Sequence, residues 1–511
     1  MDVFPFDYVP IPPTTWAYLS SFLMLALFFK FNRFWSFRNL DLVLIMLLAP
    51  GLLMIDAGQR HVASQRKSVA EAEVELDKDS AQASSQASNE RAESYLENGS
   101  DQTSDDPEEP DEVSALDEPD LSASGYRWQR WGYWWLFIVG GLLAIRFLID
   151  PNLRRRPFLE PNLSIGGLVF LGCALMAFLF ANVISSQPTN EDLIGMQNAI
   201  KMLQREAAGE NDTAQLVRRG PGYALFSWLP IIQTFNGGSE ILSADTTMSA
   251  DMSRNIIASK LLAIGSQMMI VLGLILFCFY NYNSFNVGVG TATVYLMLPY
   301  TALFTGHVLH VLPAALIIWA LVSFRKPLIS GVLVGLATGV SYYPIFLLPL
   351  WASFYWDRGK SRFITGFLIA IGVSIGSLVF TSVDPDAFLN QLQTMFGFWR
   401  PLMDGLEGIW ALGWNHHWRL PILVTFVLLC FSFAAWPFEK NIGTLVSYTA
   451  VVMILVQFWH GFGGGLYMAW YLPLVLLTVF RPNLDGRVAV SELTEKVKKP
   501  KETPEDFLPA G

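Results

Sequence analysis

Of the carboxylates in two polar stretches that interrupt an otherwise apolar chain, eight are candidates for chemistry: Glu191, Asp192, Asp245 and Asp251 in the first, and Asp384, Asp386, Asp404 and Glu407 in the second. A carboxylate beside an apolar surface can act as base for a hydroxyl that accepts a glycosyl or phosphoryl group. Taken singly, each is also an ordinary solvated loop charge. Asn190-Glu191-Asp192 further reads as a helix start, where acidic side chains suit the amino-terminal dipole. Arginines accompany the acids. Arg218 and Arg219 precede the aromatic run GYALFSWLPIIQTF, and Arg400 and Arg419 stand among Trp399, Trp410, Trp414 and Trp418. Arginine beside aromatics at a membrane interface can hold a lipid phosphate or anchor a span. The histidines His61, His307, His310, His416, His417 and His460 form no His-x-x-x-His or Cys/His set, so no metal spacing is present. Cys173, Cys278 and Cys430 all sit in apolar segments and read as packing residues.

The elements that must position these groups are membrane helices. The chain of 511 residues is 52% hydrophobic and only 15% charged, against about 25% charged in a soluble domain. Apolar segments run Trp16–Phe31, Leu40–Ala57, Arg127–Ile149, Ser164–Ile184 and Asn255–Tyr280. Four shorter ones follow at Thr291–Thr305, His307–Phe324, Leu328–Tyr342 and Tyr343–Trp356, broken at Gly306, at Phe324-Arg325-Lys326-Pro327 and at Ser341-Tyr342-Tyr343-Pro344. Phe363–Thr381, Leu420–Trp436, Ile442–Trp459 and Gly465–Phe480 complete an all-α polytopic fold of about thirteen spans. The stretches Ser185–Met252 and Val383–Trp418 are its two long loops; helices are expected at Asn190–Ala207 and Gly222–Phe235 within the first. Lys and Arg after alternate spans place the amino terminus, both long loops and all six histidines outside, and the tail inside.

Residues 60–126 carry much of the net charge of −10 and few aromatics, and read as a disordered acidic linker. The expected organisation is therefore a two-helix hairpin at 1–59, the linker, a membrane body at 127–481 and a polar tail at 482–511. No basic aromatic face points to nucleic acid.

The body resembles the polytopic GT-C glycosyltransferases, closest to the bacterial polyprenyl-phosphate-mannose-dependent mannosyltransferase-like branch. The residues that carry the likeness are a small-residue helix with Gly331, Gly335, Leu336 and Ala337, the Tyr343-Pro344 break with Leu348 and Pro349 after it, Gly306-His307 where the family often has Gly-Gln, and the closing Tyr467, Trp470, Leu472 and Pro473. The family's acid lies in the first outer loop just after a span. The resemblance thus implies Asp192 as catalytic base with Glu191 as second choice. It implies a substrate site drawing on Arg218, Arg219, His307, Tyr343, Arg400, Arg419, Tyr467 and Trp470. It departs at Ser341, where the family carries Lys, and in the extra hairpin and linker.

The implied activity is inverting transfer of a sugar from a polyprenyl-phosphate carrier to an acceptor on the outer face of a bacterial inner membrane. Membrane lipid and the lipid-linked sugar are the expected partners. No motif calls for a cofactor; a divalent cation is left open. Two other readings stand beside it. Broken helices also build transporters or flippases, although those bury ionisable groups mid-span and this chain has almost none there. A catalytically silent scaffold would suit Ser341.

Overall fold

The computed structural model describes residues 11–68, 124–152, 161–204, 219–234, 250–357, 359–382, 385–386, 388–389, 392, 405–437 and 440–482. Among them the chain is helical and has no β-strand. The first helices are α1 (Pro13–Phe28), α2 (Phe37–Ser68), α3 (Ser124–Ile149) and α4 (Ile165–Ser185). The first long loop contains α5 (Asn190–Gln204) and α6 (Gly222–Thr234). The long α7 (Ala250–Asn281) leads into α8 (Phe285–Met297), α9 (Pro299–Phe304), α10 (Val308–Val322) and α11 (Pro327–Val340). A 3₁₀ turn, Tyr343–Leu347, leads into α12 (Leu348–Phe354), and α13 (Lys360–Thr381) follows. The last three are α14 (Arg419–Ala435), α15 (Ile442–Val456) and α16 (Leu472–Val479).

Six helical stretches among the described residues are long and apolar enough to cross a membrane: Phe37–Ser68, Ser124–Ile149, Ile165–Ser185, Asn255–Asn281, Lys360–Val379 and His416–Ala435. The other apolar helices are shorter for a visible reason. Pro299 and Pro327 open α9 and α11, Pro344 opens the 3₁₀ turn, and Pro313 lies within α10. The expected span at Thr291 in fact begins at Phe285, because Ser284 caps the helix by accepting from the Val287 N–H. The longer helices present apolar side chains such as Phe170, Leu368 and Leu428 to their surroundings. By contrast α15 is buried on all sides from Ile442 to Met453, as a helix apolar all round must be.

The chain forms two compact units, one of Pro50–Trp134 and one of Met1–Ala49 with Trp135–Gly511. In the smaller unit α2 and α3 run antiparallel along a seam of small residues. Gly51 and Gly58 match Gly132 and Gly125 at the same seven-residue interval. A Cβ on Gly132 would lie 2.7 Å from the Gly51 carbonyl, so the backbones touch. His61 bonds Ser124 at 2.7 Å across the same pair. Residues 124–126, expected as linker, begin α3, and residues 60–68, likewise expected as linker, continue a helix. The backbone bonds that helix retains there, and its packing on α3, outweigh the polar composition. The rest of the expected linker, residues 69–123, lies outside the described residues, as does the tail from 483.

The larger unit holds the site. Its tightest seam is α11 against α13. Gly331, Gly335 and Gly339 face Phe363, Gly366, Phe367, Ala370 and Ser374, and a Cβ on Gly335 would lie 2.7 Å from the Phe367 carbonyl. This closeness fixes the end of α11, on which the first long loop rests.

Candidate functional site

The local sequence puts Asp192 inside the protein. After α4, Ser186 runs extended, and the Leu193 N–H closes the first turn of α5 on the Thr189 carbonyl at 3.0 Å. Leu193, Met196 and Ala199 face inward, and Met196 packs on Ala258 and Leu262 of α7. Asp192 shares that face and is 3% exposed. Its Oδ2 has no hydrogen-bond partner and lies 3.9 Å from His307 Nδ1. The backbone N–H that meets its carboxylate is that of Val308, across on α10. The expectation that Asp192 serves as a cap of its own helix is thus not how the carboxylate is held.

Arg219 lies on the other side. It is buried, donates through Nη2 to the Glu191 carbonyl, and sits 5.1 Å over the Tyr223 ring. Glycines place it. A Cβ on Gly195 would come within 2.7 Å of the guanidinium carbon. Gly220 donates to the Val340 carbonyl at 3.0 Å, and Gly222 abuts Gly339. Tyr342 Oη donates to the Arg219 carbonyl at 2.9 Å. The turn Arg219-Gly220-Pro221-Gly222 is thereby pinned to the end of α11. Ser341, at that end, is buried with its Oγ making no hydrogen bond.

Burial pushes the Asp192 carboxyl above its ordinary value. His307 and then Arg219 pull it back down, and Glu191 adds to the rise. Burial likewise pushes the Tyr223 phenol up. A carboxyl so held takes up a proton more readily than one in water, which suits a base.

His307 stands between Asp192 and an open space. Thr189 Oγ1 lies 3.2 Å from its Nδ1. Both residues line a cavity of about 310 Å³ whose wall does not include Asp192. Its lining mixes apolar side chains, Trp16, Phe178 and Leu303, with polar ones, Asn182, Gln187 and Lys260.

The remaining expected residues form a second group. Tyr467 is stacked on His310 at 4.3 Å and lies 4.6 Å from both His460 and Trp470; Tyr343 stacks on His460 at 4.3 Å. His310 is 5.3 Å from His307, so the groups touch there. Gly463 and Gly465, at φ +69° and +98°, turn the chain back to bring Tyr467 to His460. Arg419 borders this group, donating to the Trp459 carbonyl at 3.2 Å and lying 5.9 Å over Trp410. Arg218 and Arg400 lie outside the described residues.

The structure therefore gathers Asp192, Glu191, Arg219 and His307 in one place and Tyr343, Tyr467 and Trp470 in another. Reasoning from sequence did not single out Thr189, Tyr223, Trp16 or Lys260. Lys260 carried a signal, as a lone charge inside an apolar span. Among the described residues no three His, Cys, Asp or Glu side chains converge to hold a metal ion, and the donors at Asp192 do not fit a resident cation. The chain matches no protein-family model and no curated protein.

Proposed function

We propose that the protein is an integral membrane glycosyltransferase of GT-C type, with about thirteen spans, its amino terminus outside and its tail inside. It moves a sugar from a polyprenyl-phosphate donor to an acceptor hydroxyl at the outer face. The observation that carries this reading is Asp192: a buried carboxylate with an unpartnered oxygen, raised in pKa, behind a histidine that lines an amphipathic cavity. A buried polar atom left unpaired in a native fold calls for a reason, and a base awaiting a proton is one.

In the reaction the acceptor oxygen attacks the anomeric carbon. Its proton passes to the Asp192–His307 pair. The bond from that carbon to the phosphate oxygen breaks, the lipid phosphate leaves, and the sugar carbon inverts. Arg219 neutralises the carboxylate side of this pair through the protein interior. The aromatic group of Tyr343, Tyr467 and Trp470 offers ring faces of the kind that sugars pack on.

The test is transfer by the purified full-length protein from radiolabelled polyprenyl-phosphate sugars, with Asp192→Asn beside it. The wild type is expected to release or transfer label, and the variant to be about 100-fold slower or worse. An Asp192→Asn protein with near-normal transfer would remove Asp192 from the reaction and leave Glu191 as the next candidate.

A further inference from the structure

Lys260 is the one feature of the cavity that the transfer chemistry leaves unused. It sits near the start of the span Asn255–Asn281, half-buried, and its Nζ donates to the Ile184 carbonyl at the end of α4 at 2.7 Å. Among the described residues no carboxylate pairs with it. A lysine offers three N–H donors and no acceptor. Capping α4 occupies one and leaves two for another acceptor. A cation in an apolar wall without a carboxylate is costly unless an anion comes to it.

The apolar part of the lining is built, not loose. Trp16 is buried at 5% exposure, stacks on Phe178 at 5.4 Å and 18°, and donates its Nε1–H to the Met297 carbonyl at 3.0 Å. This fixes α1 against α8 and α9. The amino-terminal helix, which has no counterpart in the resembled body, is thus part of the cavity and not an appendage.

We infer that the cavity binds a single-chain anionic lipid, a polyisoprenyl phosphate, with the phosphate on Lys260 and the first isoprene units against the Trp16–Phe178 wall. The choice of lipid rests on the transfer reading; the charge and the wall do not. The volume is at the low end of ligand sites, about 300–1,000 Å³, so it takes a headgroup and the start of a chain while the remainder lies in the bilayer. Leu303 and Ile11 add to the apolar lining, and Asn182 and Gln187 offer polar atoms. His307 also lines the cavity and lies 3.9 Å from Asp192, which links the cavity to the proposed base.

The experiment is a titration of the full-length protein in nanodiscs with undecaprenyl phosphate, read by native mass spectrometry. Undecaprenol and inorganic phosphate form separate arms, and phosphatidylglycerol is the competitor. Saturable binding of undecaprenyl phosphate is expected, with undecaprenol and inorganic phosphate each about tenfold weaker or worse. Lys260→Met is expected to weaken undecaprenyl phosphate about tenfold or more and leave undecaprenol unchanged. Trp16→Ala is expected to weaken both lipids. If Lys260→Met does not fold, Lys260→Gln and Lys260→Arg decide the same point, since both can keep the Ile184 bond and only arginine keeps the charge. Unchanged binding by the charge-free variant overturns the proposal. So does equal competition by phosphatidylglycerol, which marks ordinary boundary lipid, and so does equal binding of inorganic phosphate, which marks a free-anion site. Sugar release that survives Lys260→Met overturns this inference while sparing the transfer reading. Binding without sugar release does the reverse.

Discussion

Two buried charge clusters lie at opposite ends of α4, a helix about 30 Å long, and they are built to opposite rules. At the end near Asn162, Asp150 is fully buried and each of its oxygens meets an arginine, Arg146 at 3.1 Å through a hydrogen bond and Arg481 at 2.9 Å as an ion pair that leaves Oδ2 without a hydrogen bond. Arg146 also meets Asp41 twice at 2.8 Å, through a hydrogen bond from Nη2 and an ion-pair contact of Nε. Charges there are matched one for one, and the set ties α2, α3 and the end of α16 together. At the other end, Asp192 keeps one oxygen without a hydrogen bond, its nearest imidazole nitrogen is 3.9 Å away, and Arg219 bonds a backbone carbonyl instead. A saturated cluster resists change; an undersaturated one beside a cavity is ready to take a proton or a ligand. Neither burial nor a missing hydrogen bond separates a structural charge from a working one, since Asp150 Oδ2 lacks a hydrogen bond too; saturation by arginines at 2.8–3.1 Å, against an imidazole at 3.9 Å, is what differs.

The largest effect should come from breaking the saturated set. Asp150→Ala leaves Arg146 and Arg481 buried with too little negative charge and should cost about 3–5 kcal/mol. The apparent Tm in detergent should fall steeply. A variant as stable as the wild type would show that the pairing at this end holds nothing together. The matching change at the other end, Asp192→Asn, should cost about 100-fold in transfer and little stability, because no hydrogen bond to Oδ2 is lost.

Next comes a change common to both ends. Each cluster seats an arginine on a glycine: Gly195 under Arg219, Gly443 under Arg481. A methyl at either site collides with a buried guanidinium, and overpacking of this kind costs about 1–3 kcal/mol. Gly443→Ala should lower Tm and leave the transfer rate per folded molecule unchanged. Gly195→Ala should lower that rate too. If both variants behave alike in both measurements, the contrast between the ends fails.

Only part of this was legible in the sequence. Helices at Asn190 and Gly222 were, because apolar periodicity and punctuation are local. So was the Tyr343-Pro344 break, and so was Asp192 as a group placed at the mouth of a span. The saturated cluster was not: Asp41, Arg146, Asp150 and Arg481 are far apart in the chain, and the arginines read simply as inside-facing positive charge. The matched glycines of α2 and α3 were hidden by the polar stretch between them, which drew the linker boundary too early. Lys260 read as part of a span because nothing local shows that the end of α4 and the wall of α1 meet beside it.

A smaller effect tests the coupling of Asp192 to His307. Burial raises the carboxyl and His307 lowers it. Transfer needs the carboxylate, so the rate should climb with pH along a limb above the ordinary carboxylate range. In His307→Gln the lowering influence is gone, and the limb should move to still higher pH. A limb that stays put in that variant would show the two groups to be independent.

The smallest effect concerns stability at the working end, and it has the opposite sign to the change at Asp150. The folded carboxyl of Asp192 is raised above its unfolded value of 3.8, so the folded state holds the proton over a pH range where the unfolded state has released it. Within that window the native state binds more protons, and stability must fall as pH rises. Above the window the wild type carries the whole penalty of a buried, incompletely bonded charge. Asp192→Asn carries none, since the amide does not ionise. Its apparent Tm should therefore equal the wild type's at low pH and exceed it slightly at neutral pH, with the gap opening as the carboxyl ionises. Such a gain alongside lost transfer is the mark of a group kept for function at a cost in stability. An Asp192→Asn protein that is less stable than the wild type at neutral pH would instead place Asp192 with Asp150, as a charge that holds the fold.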